Sequence, residues 1–232
     1  MKRHFLTELL DLISPRACVM CGNRLSSSED VVCVKCLMDI PFVNFTNRLL
    51  DNEMARLFWG QFPIERAATL FYYQPKSPPY KLIHNLKYHN APYIGIMLGK
   101  LLAERYQPYG FFEDIDSIVP MPITWRRRWQ RGYNQSEVFA QGISETTGLP
   151  VLNEVIKRIK FHDSQTHKNF TERKLNVDEA FKLADADKIS GKHILLVDDV
   201  LTTGATIISC AKELSKAEKV RISVMTIGLT KE

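Results

Sequence analysis

Phe5, Leu6, Leu9, Leu10, Leu12 and Ile13 recur at helical spacing, so residues 1–15 are expected to form an amphipathic docking helix. Lys2 and Arg3 ahead of it imitate a signal peptide. Glu8 and Asp11 interrupt the apolar run, however, and no small-residue cleavage site follows, so a cytoplasmic setting is expected. Residues 67–73 (A-A-T-L-F-Y-Y) read as a strand that ends in a turn at 75–79. Leu82, Ile83 and Leu86 predict a helix over 80–88, and Ile94, Met97, Leu98, Leu101 and Leu102 predict another over 92–106. Residues 116–121 read as a short strand closed by Pro122. Asn134 followed by Glu137 predicts a reciprocal helix cap, Asn134 accepting from backbone N–H groups and Glu137 reaching back. That helix should stop at Gly148-Leu149-Pro150. Residues 151–159 are the next strand candidate, and 162–170 read as an aperiodic polar loop. The continuous apolar run 194–197 marks a strand covered on both faces. Ile207, Ile208, Ala211 and Leu214 predict a helix over 205–216, and 220–227 a last strand. Strand and helix alternate from residue 116 onward, which predicts an α/β fold: a parallel sheet flanked by helices.

Composition narrows the class without naming it. Apolar residues make up 45% of the chain and charged residues 25%, which excludes disordered and collagen-like proteins. The best apolar stretch, 94–103, is broken by Lys100 and falls short of the ~18 residues of a membrane span. The net charge is +5, and residues 124–174 hold 10 basic and 5 acidic side chains, so the whole excess sits in one window. Such a field attracts a polyanion, either a polyphosphate or a nucleic acid. Trp125, Trp129 and Tyr133 interleave there with arginines at four-residue spacing. Two readings stand: base-stacking platforms beside cations, or aromatics packed on the core with the arginines in solvent.

Cys18, Cys21, Cys33 and Cys36 form C-x2-C-x11-C-x2-C. Thiols two residues apart fit a tight turn that aims both sulfurs at one metal, and two such turns complete a tetrahedral structural zinc site. Disulfides would need an oxidising compartment and leave Cys210 over. Cys210 itself lies beside an inward helical stripe, where a buried thiol acts as a small apolar group. His84 and His89 lack a ligand-type spacing to one another.

Residues 193–206 read H-I-L-L-V-D-D-V-L-T-T-G-A-T. A buried strand delivers Asp198 and Asp199 to its C-terminal tip, where open α/β sheets bind ligands. Thr202, Thr203, Gly204 and Thr206 then lead into a helix. The glycine admits close backbone approach, the threonines supply hydroxyls, and the helix N-terminus adds partial positive charge. This is a phosphate cradle next to a pair of carboxylates able to grip hydroxyls or a metal. A P-loop would need Lys after the glycine, and a dinucleotide fold would need three spaced glycines.

The segment resembles the phosphoribosyl-pyrophosphate signature of type I phosphoribosyltransferases. V-P-M-P-I-T-W-R-R-R-W-Q-R-G-Y-N-Q at 119–135 resembles a block of the competence protein ComF family, as do L-I-H-N-L-K-Y at 82–88, the four-cysteine ribbon, and the Gln165, Arg173 and Asn176 spacing ahead of Ala180-Phe181. The resemblance implies a small N-terminal module, residues 1–45, holding the helix and zinc ribbon, and a phosphoribosyltransferase-like domain over 46–232. It further implies that Asp198 and Asp199 take ribose hydroxyls, directly or through magnesium. Thr202, Thr203, Gly204, Ala205 and Thr206 would hold the 5′-phosphate. Val119, Pro120, Met121 and Pro122 would form the pyrophosphate loop, with Arg127 and Arg131 nearby. Gln165, Arg173 and Asn176 would belong to a loop that closes over the site and excludes water. The chain departs from the family pattern at Thr124, where His is usual, and at His162 and Lys168, where Thr and Leu are usual.

The function implied is binding of phosphoribosyl pyrophosphate by a protein that assists single-stranded DNA uptake in natural transformation, alongside DNA-uptake proteins. Two alternatives stand beside it: a non-catalytic phosphoribosyl-pyrophosphate-sensing or nucleic-acid-binding module, and a transferase of nucleobase salvage. No acceptor-base pocket is recognisable in the residues, so the sequence carries binding further than turnover.

Overall fold

The computed structural model describes residues 15–46, 48–75, 77–159 and 180–230. The helix expected over residues 1–15 falls, but for Pro15, outside the described residues, as does the loop expected over 162–170. The helices are α1 (Val34–Met38), α2 (Glu53–Arg56), α3 (Tyr80–Tyr88), α4 (Pro92–Tyr106), α5 (Trp125–Arg131), α6 (Gln135–Thr147) and α7 (Ala205–Leu214). The strands are β1 (Ala67–Tyr73), β2 (Ser117–Pro120), β3 (Ile156–Arg158), β4 (Phe181–Leu183), β5 (His193–Leu201) and β6 (Arg221–Thr230).

The central sheet has the order β1-β6-β5-β2, and every pairing in it is parallel. Ile194, Leu195, Leu196 and Val197 of β5 are wholly buried, as an apolar run covered on both faces requires. Burying each such side chain stabilises by about 1.5–3 kcal/mol, so this strand anchors the core. Helix α6 packs on β5 and β2, and α4 lies across both α6 and β1. The crossing of α4 with α6 is close because glycines face each other. A Cβ on Gly142 would lie 2.1 Å from the Ile96 carbonyl oxygen, and one on Gly99 would lie 2.3 Å from that of Phe139.

The ribbon docks on this core through backbone and side chain together. Val43 N–H donates to Leu70 O (3.0 Å), Phe42 bridges Phe71 antiparallel, and Lys81 Nζ donates to Met20 O (2.6 Å).

Several expectations change. Strand β5 runs to Leu201, so both carboxylates lie within its C-terminal half, short of the tip itself. The candidate strand 151–159 is not one strand. Val151 makes an isolated bridge to Ile118, a turn at Asn153–Glu154 breaks the run, and β3 then pairs antiparallel with β4 outside the main sheet. The hairpin lies against α7, where Leu183 N–H donates to Glu213 Oε1 (3.0 Å). The Asn134 cap forms on Ser136 N, but Glu137 turns away to Arg128 (2.7 Å), because a guanidinium is a stronger partner than a backbone amide. Helix α7 stops at Leu214, short of residue 216.

Candidate functional site

The C-terminal end of β5 carries the carboxylate pair. Asp198 Oδ1 accepts from Ser136 Oγ on α6 (3.1 Å) and from Asp199 N–H (2.8 Å). Asp199 Oδ2 pairs with Lys87 Nζ at 2.7 Å, the two side chains 17% and 22% exposed. Burial first, and then the neighbouring Asp199 carboxylate, push the Asp198 carboxyl well above the usual carboxylate range. Two acids in adjacent positions of a buried strand are costly, and α3 and α6 answer them with an ammonium and a hydroxyl.

Beyond the strand, Thr202 and Thr203 are exposed, Gly204 is buried, and Ala205 and Thr206 are exposed at the start of α7. Gly204 sits at φ +80° as the N-cap residue of α7, a conformation that L side chains rarely adopt. The loop thus turns sharply and leaves the first amides of a ten-residue helix facing the carboxylate end of the sheet.

Val119, Pro120 and Met121 are buried where β2 ends, and Pro122 is half-buried. Met121 N–H donates to Val197 O (2.8 Å), and Asn134 Nδ2 donates to Met121 O (2.9 Å), so this segment is tied directly to β5 and α6. Thr124, the departure from the family pattern, serves as the N-cap of α5 and accepts from Arg127 N–H. Arg127 is exposed; Arg131 donates to Gln135 Oε1 (2.7 Å) and lies over the Tyr88 ring, 5.6 Å from its centroid. Gln165, Arg173 and Asn176 lie outside the described residues, as do His162 and Lys168.

The tryptophans resolve one open reading. Trp125 and Trp129 are 62% and 81% exposed, so they do not pack on the core. Tyr133 leaves the set: Gly132 ends α5 in the left-handed conformation, and Tyr133 is half-buried with its hydroxyl donating to Leu86 O.

Three residues of this region carried no role in the sequence reading. Lys87 stood in the 82–88 block with nothing to tie it to Asp199, and Ser136 looked like an ordinary first-turn serine. Arg158 on β3 is half-buried, with its guanidinium over Phe181 (5.3 Å). Burial, then the nearby Arg127, lower its pKa, while Asp198 works in the opposite direction. Only the tertiary fold brings β3 to β5, so no local signal marks Arg158.

The four cysteines form a second centre. Their sulfurs all lie within 4.8 Å of one another, and Cys21 Sγ and Cys33 Sγ are 3.8 Å apart. Tetrahedral bonds of about 2.3 Å separate sulfurs by roughly 3.8 Å, so the donor set can hold a metal ion. Gly22 turns the first knuckle at φ +80°, and α1 begins directly after Cys33 and carries Cys36. Burial alone would raise the Cys18 thiol, but N–H groups of Cys21, Cys33 and Met20 outweigh it and lower its pKa to about 6. Burial pushes Cys36 up. One sulfur thus favours the thiolate form that metals bind.

A family model for the phosphoribosyl transferase domain matches residues 126–227. Competence protein F of Haemophilus influenzae is 34% identical over 142 residues, 58% of this chain and 61% of that protein. DNA utilization protein YhgH of Salmonella typhimurium is 30% identical over 229 residues, 94% of this chain and 99% of that protein. Competence protein ComFC of Bacillus subtilis is 30% identical over 111 residues, 47% of this chain and 43% of that protein. The chain thus spans less than two thirds of competence protein F and nearly all of YhgH. Among the described residues no helix is long and apolar enough to cross a membrane.

Proposed function

The chain belongs to the ComF family of phosphoribosyltransferase-fold proteins, and on that premise we propose that it binds phosphoribosyl pyrophosphate with magnesium at the end of β5 and acts in the uptake and use of single-stranded DNA. One observation carries the ligand reading. Adjacent carboxylates on a central strand stand beside a helix N-terminus that opens at a left-handed glycine. Asp198 and Asp199 take the ribose hydroxyls and would hold magnesium, which would supply positive charge against the phosphates. Thr202, Thr203, Gly204, Ala205 and Thr206 hold the 5′-phosphate through hydroxyls and helix amides. Val119, Pro120, Met121 and Pro122 shape the pyrophosphate loop, with Arg127 and Arg131 as its cations. Gln165, Arg173 and Asn176 belong to the loop that closes over the ligand. Lys87 gives up Asp199 when ligand enters, since both compete for one carboxylate.

Zinc at Cys18, Cys21, Cys33 and Cys36 is the structural ion of this proposal, and residues 1–45 and 46–232 are its two units. The protein works in the cytoplasm, where a reduced thiol cluster persists. Its DNA role rests on the names of the relatives and on the excess positive charge of residues 124–174.

The test is thermal. Ligand at about 100 times its dissociation constant stabilises by roughly 2.7 kcal/mol. At about 2–4 °C per kcal/mol, the melting point should rise by several degrees with phosphoribosyl pyrophosphate and magnesium. Asp199→Asn should remove the rise, and an unchanged parent midpoint would sink the ligand assignment. Release of pyrophosphate across a panel of nucleobases separates a transferase from a sensor: binding without release leaves the sensor.

A further inference from the structure

One face of α3 carries a row of aromatic rings. Tyr80, His84 and Tyr88 follow each other at four-residue steps, and their ring centroids are 5.5 and 5.0 Å apart. Tyr73 at the end of β1 extends the row beyond Tyr80 (6.1 Å, rings nearly parallel), and His89 joins it beside His84 (5.2 Å). The opposite face of the helix buries Leu82, Ile83 and Leu86. The fold therefore needs the apolar side of α3 and leaves the aromatic side partly open to water, with Tyr80 and His84 half-buried and Tyr88 and His89 exposed. Tyr88 is 65% exposed, so its ring is not there to fill the core.

The chain segments that form this face are poor in acids. No acidic residue occurs anywhere in 67–103 or in 117–136, the segments that supply α3 and α5. Lys81 donates to the neutral Met20 carbonyl and Arg131 to the neutral Gln135 amide, so these contacts cancel neither charge. Of the acids nearby, Asp199 is held by Lys87 and Glu137 by Arg128, while Asp39 and the ribbon thiols Cys21 and Cys36 line one pocket with Tyr80 and Lys81 at the N-terminal end of the row. Arg131 lies over the Tyr88 ring and so joins the aromatic row to the arginines of α5.

We propose that the outer face of α3, continued across Arg131 onto α5, is a binding surface for single-stranded DNA, in which bases stack on the Tyr80–His84–Tyr88 row and phosphates meet the flanking cations. The rings already touch one another, so bases lie on their outward faces instead of slotting between them. Planar rings flanked by Lys81 and Arg131, whose hydrogen bonds go to neutral acceptors, fit unpaired bases on a polyanion. In a duplex the base faces are covered by their neighbours, and only the phosphates would be met. The proposal rests on the reading that this protein handles single-stranded DNA, and it moves the stacking platform from the tryptophan helix alone to a surface shared with α3.

The experiment uses the full chain, a fluorescent single-stranded oligonucleotide of about 20 nucleotides, and the same sequence as a duplex. Binding is read by anisotropy at several salt concentrations. The parent should prefer the single strand. Tyr88→Ala and His84→Ala should each weaken it by about five- to 150-fold, the range for loss of one base–ring stack. Tyr88→Phe should restore parent affinity, because the ring and not the hydroxyl is the platform. Tyr109→Ala removes an exposed ring elsewhere on the molecule and should change nothing. The thermal midpoint of Tyr88→Ala without ligand, compared with the parent's, reports that its fold is intact. Alanine variants that bind the single strand as the parent does, or a duplex bound equally well, overturn the surface. A parent that binds no single strand overturns the DNA role itself, whatever the outcome with phosphoribosyl pyrophosphate.

Discussion

Asp114 lies at the end of the sheet opposite the carboxylate pair, where the starts of β5 and β6 meet. It accepts from Arg221 Nη1 (2.7 Å) and Arg66 Nη2 (2.8 Å), and stands 3.3 Å from His193 Nδ1. The Arg221 hydrogen bond, against some cost of burial and helped by Arg66, holds its carboxyl well below the usual range. A depressed carboxylate pKa contributes stability above the unfolded value of about 3.9, and that stability is lost as pH falls further toward the folded one. His193 is fully buried, and burial lowers its pKa, so it too favours the fold at higher pH and costs stability once an unfolded histidine would protonate. Thermal midpoints should therefore decline steeply below about pH 4, whereas between about pH 7 and 4 the His193 loss is opposed by Asp198, whose raised carboxyl favours the fold as pH falls. Asp114→Asn should flatten the lower limb, at a cost near neutral pH of about 1 kcal/mol, since the group is 43% exposed and screened. An acid limb unchanged in that variant would show the cluster to be energetically silent. None of this was legible in the sequence, where Arg66, Asp114, His193 and Arg221 are scattered over more than 150 positions.

Among the elements, the α4–α6 crossing is the most exacting. Gly95, Gly99 and Gly142 let two backbones approach so closely that a methyl group has no room, and in two cases the obstructing atom is a carbonyl oxygen. Gly142→Ala must push the helices apart and should cost about 1–3 kcal/mol or more, read as a lower urea midpoint with an unchanged slope. A neutral outcome would mean that the crossing relaxes freely. The periodic residues of α4 and α6 predicted both helices, but helical periodicity records which face is apolar and not how near the partner helix comes. The hairpin β3–β4 shows the same limit. Residues 151–159 carry a local apolar pattern that reads as one strand, whereas only the start of that run, at Pro150–Leu152, reaches the edge beside β2. Cys33→Ser tests the ribbon at this scale: the purified parent should carry one zinc per chain by metal analysis and the variant markedly less. A parent without stoichiometric zinc would remove the ion from the proposal.

Taken whole, the molecule joins ribbon and sheet in one continuous core, with Val43, Phe45 and Cys36 buried in the same cluster as β1 and β5. Metal binding at thiolate sites of this kind is worth on the order of 10–16 kcal/mol, comparable to the stability of a domain. Chelation should therefore release residues 16–40 to hydrogen exchange while the sheet keeps a cooperative transition. That transition should move to lower temperature, because the contacts of Val43 with Leu70 and of Lys81 with Met20 weaken. A transition unmoved by the chelator would show that the ribbon lends the sheet nothing. The cysteine spacing, the buried run 194–197 and the 193–206 segment determined, from the chain alone, a four-cysteine cluster able to hold a metal, a parallel sheet and a strand–loop–helix turn that opens at Gly204, because each depends on residues close together along the backbone. The tertiary structure alone decided which side chains answer those residues. Lys87 reaches Asp199 across 112 positions, Ser136 reaches Asp198 across 62, and Tyr88 meets Arg131 across 43. Spacing along the chain reports only what a turn, strand or helix brings together, whereas these partners meet because separate elements are packed on one sheet.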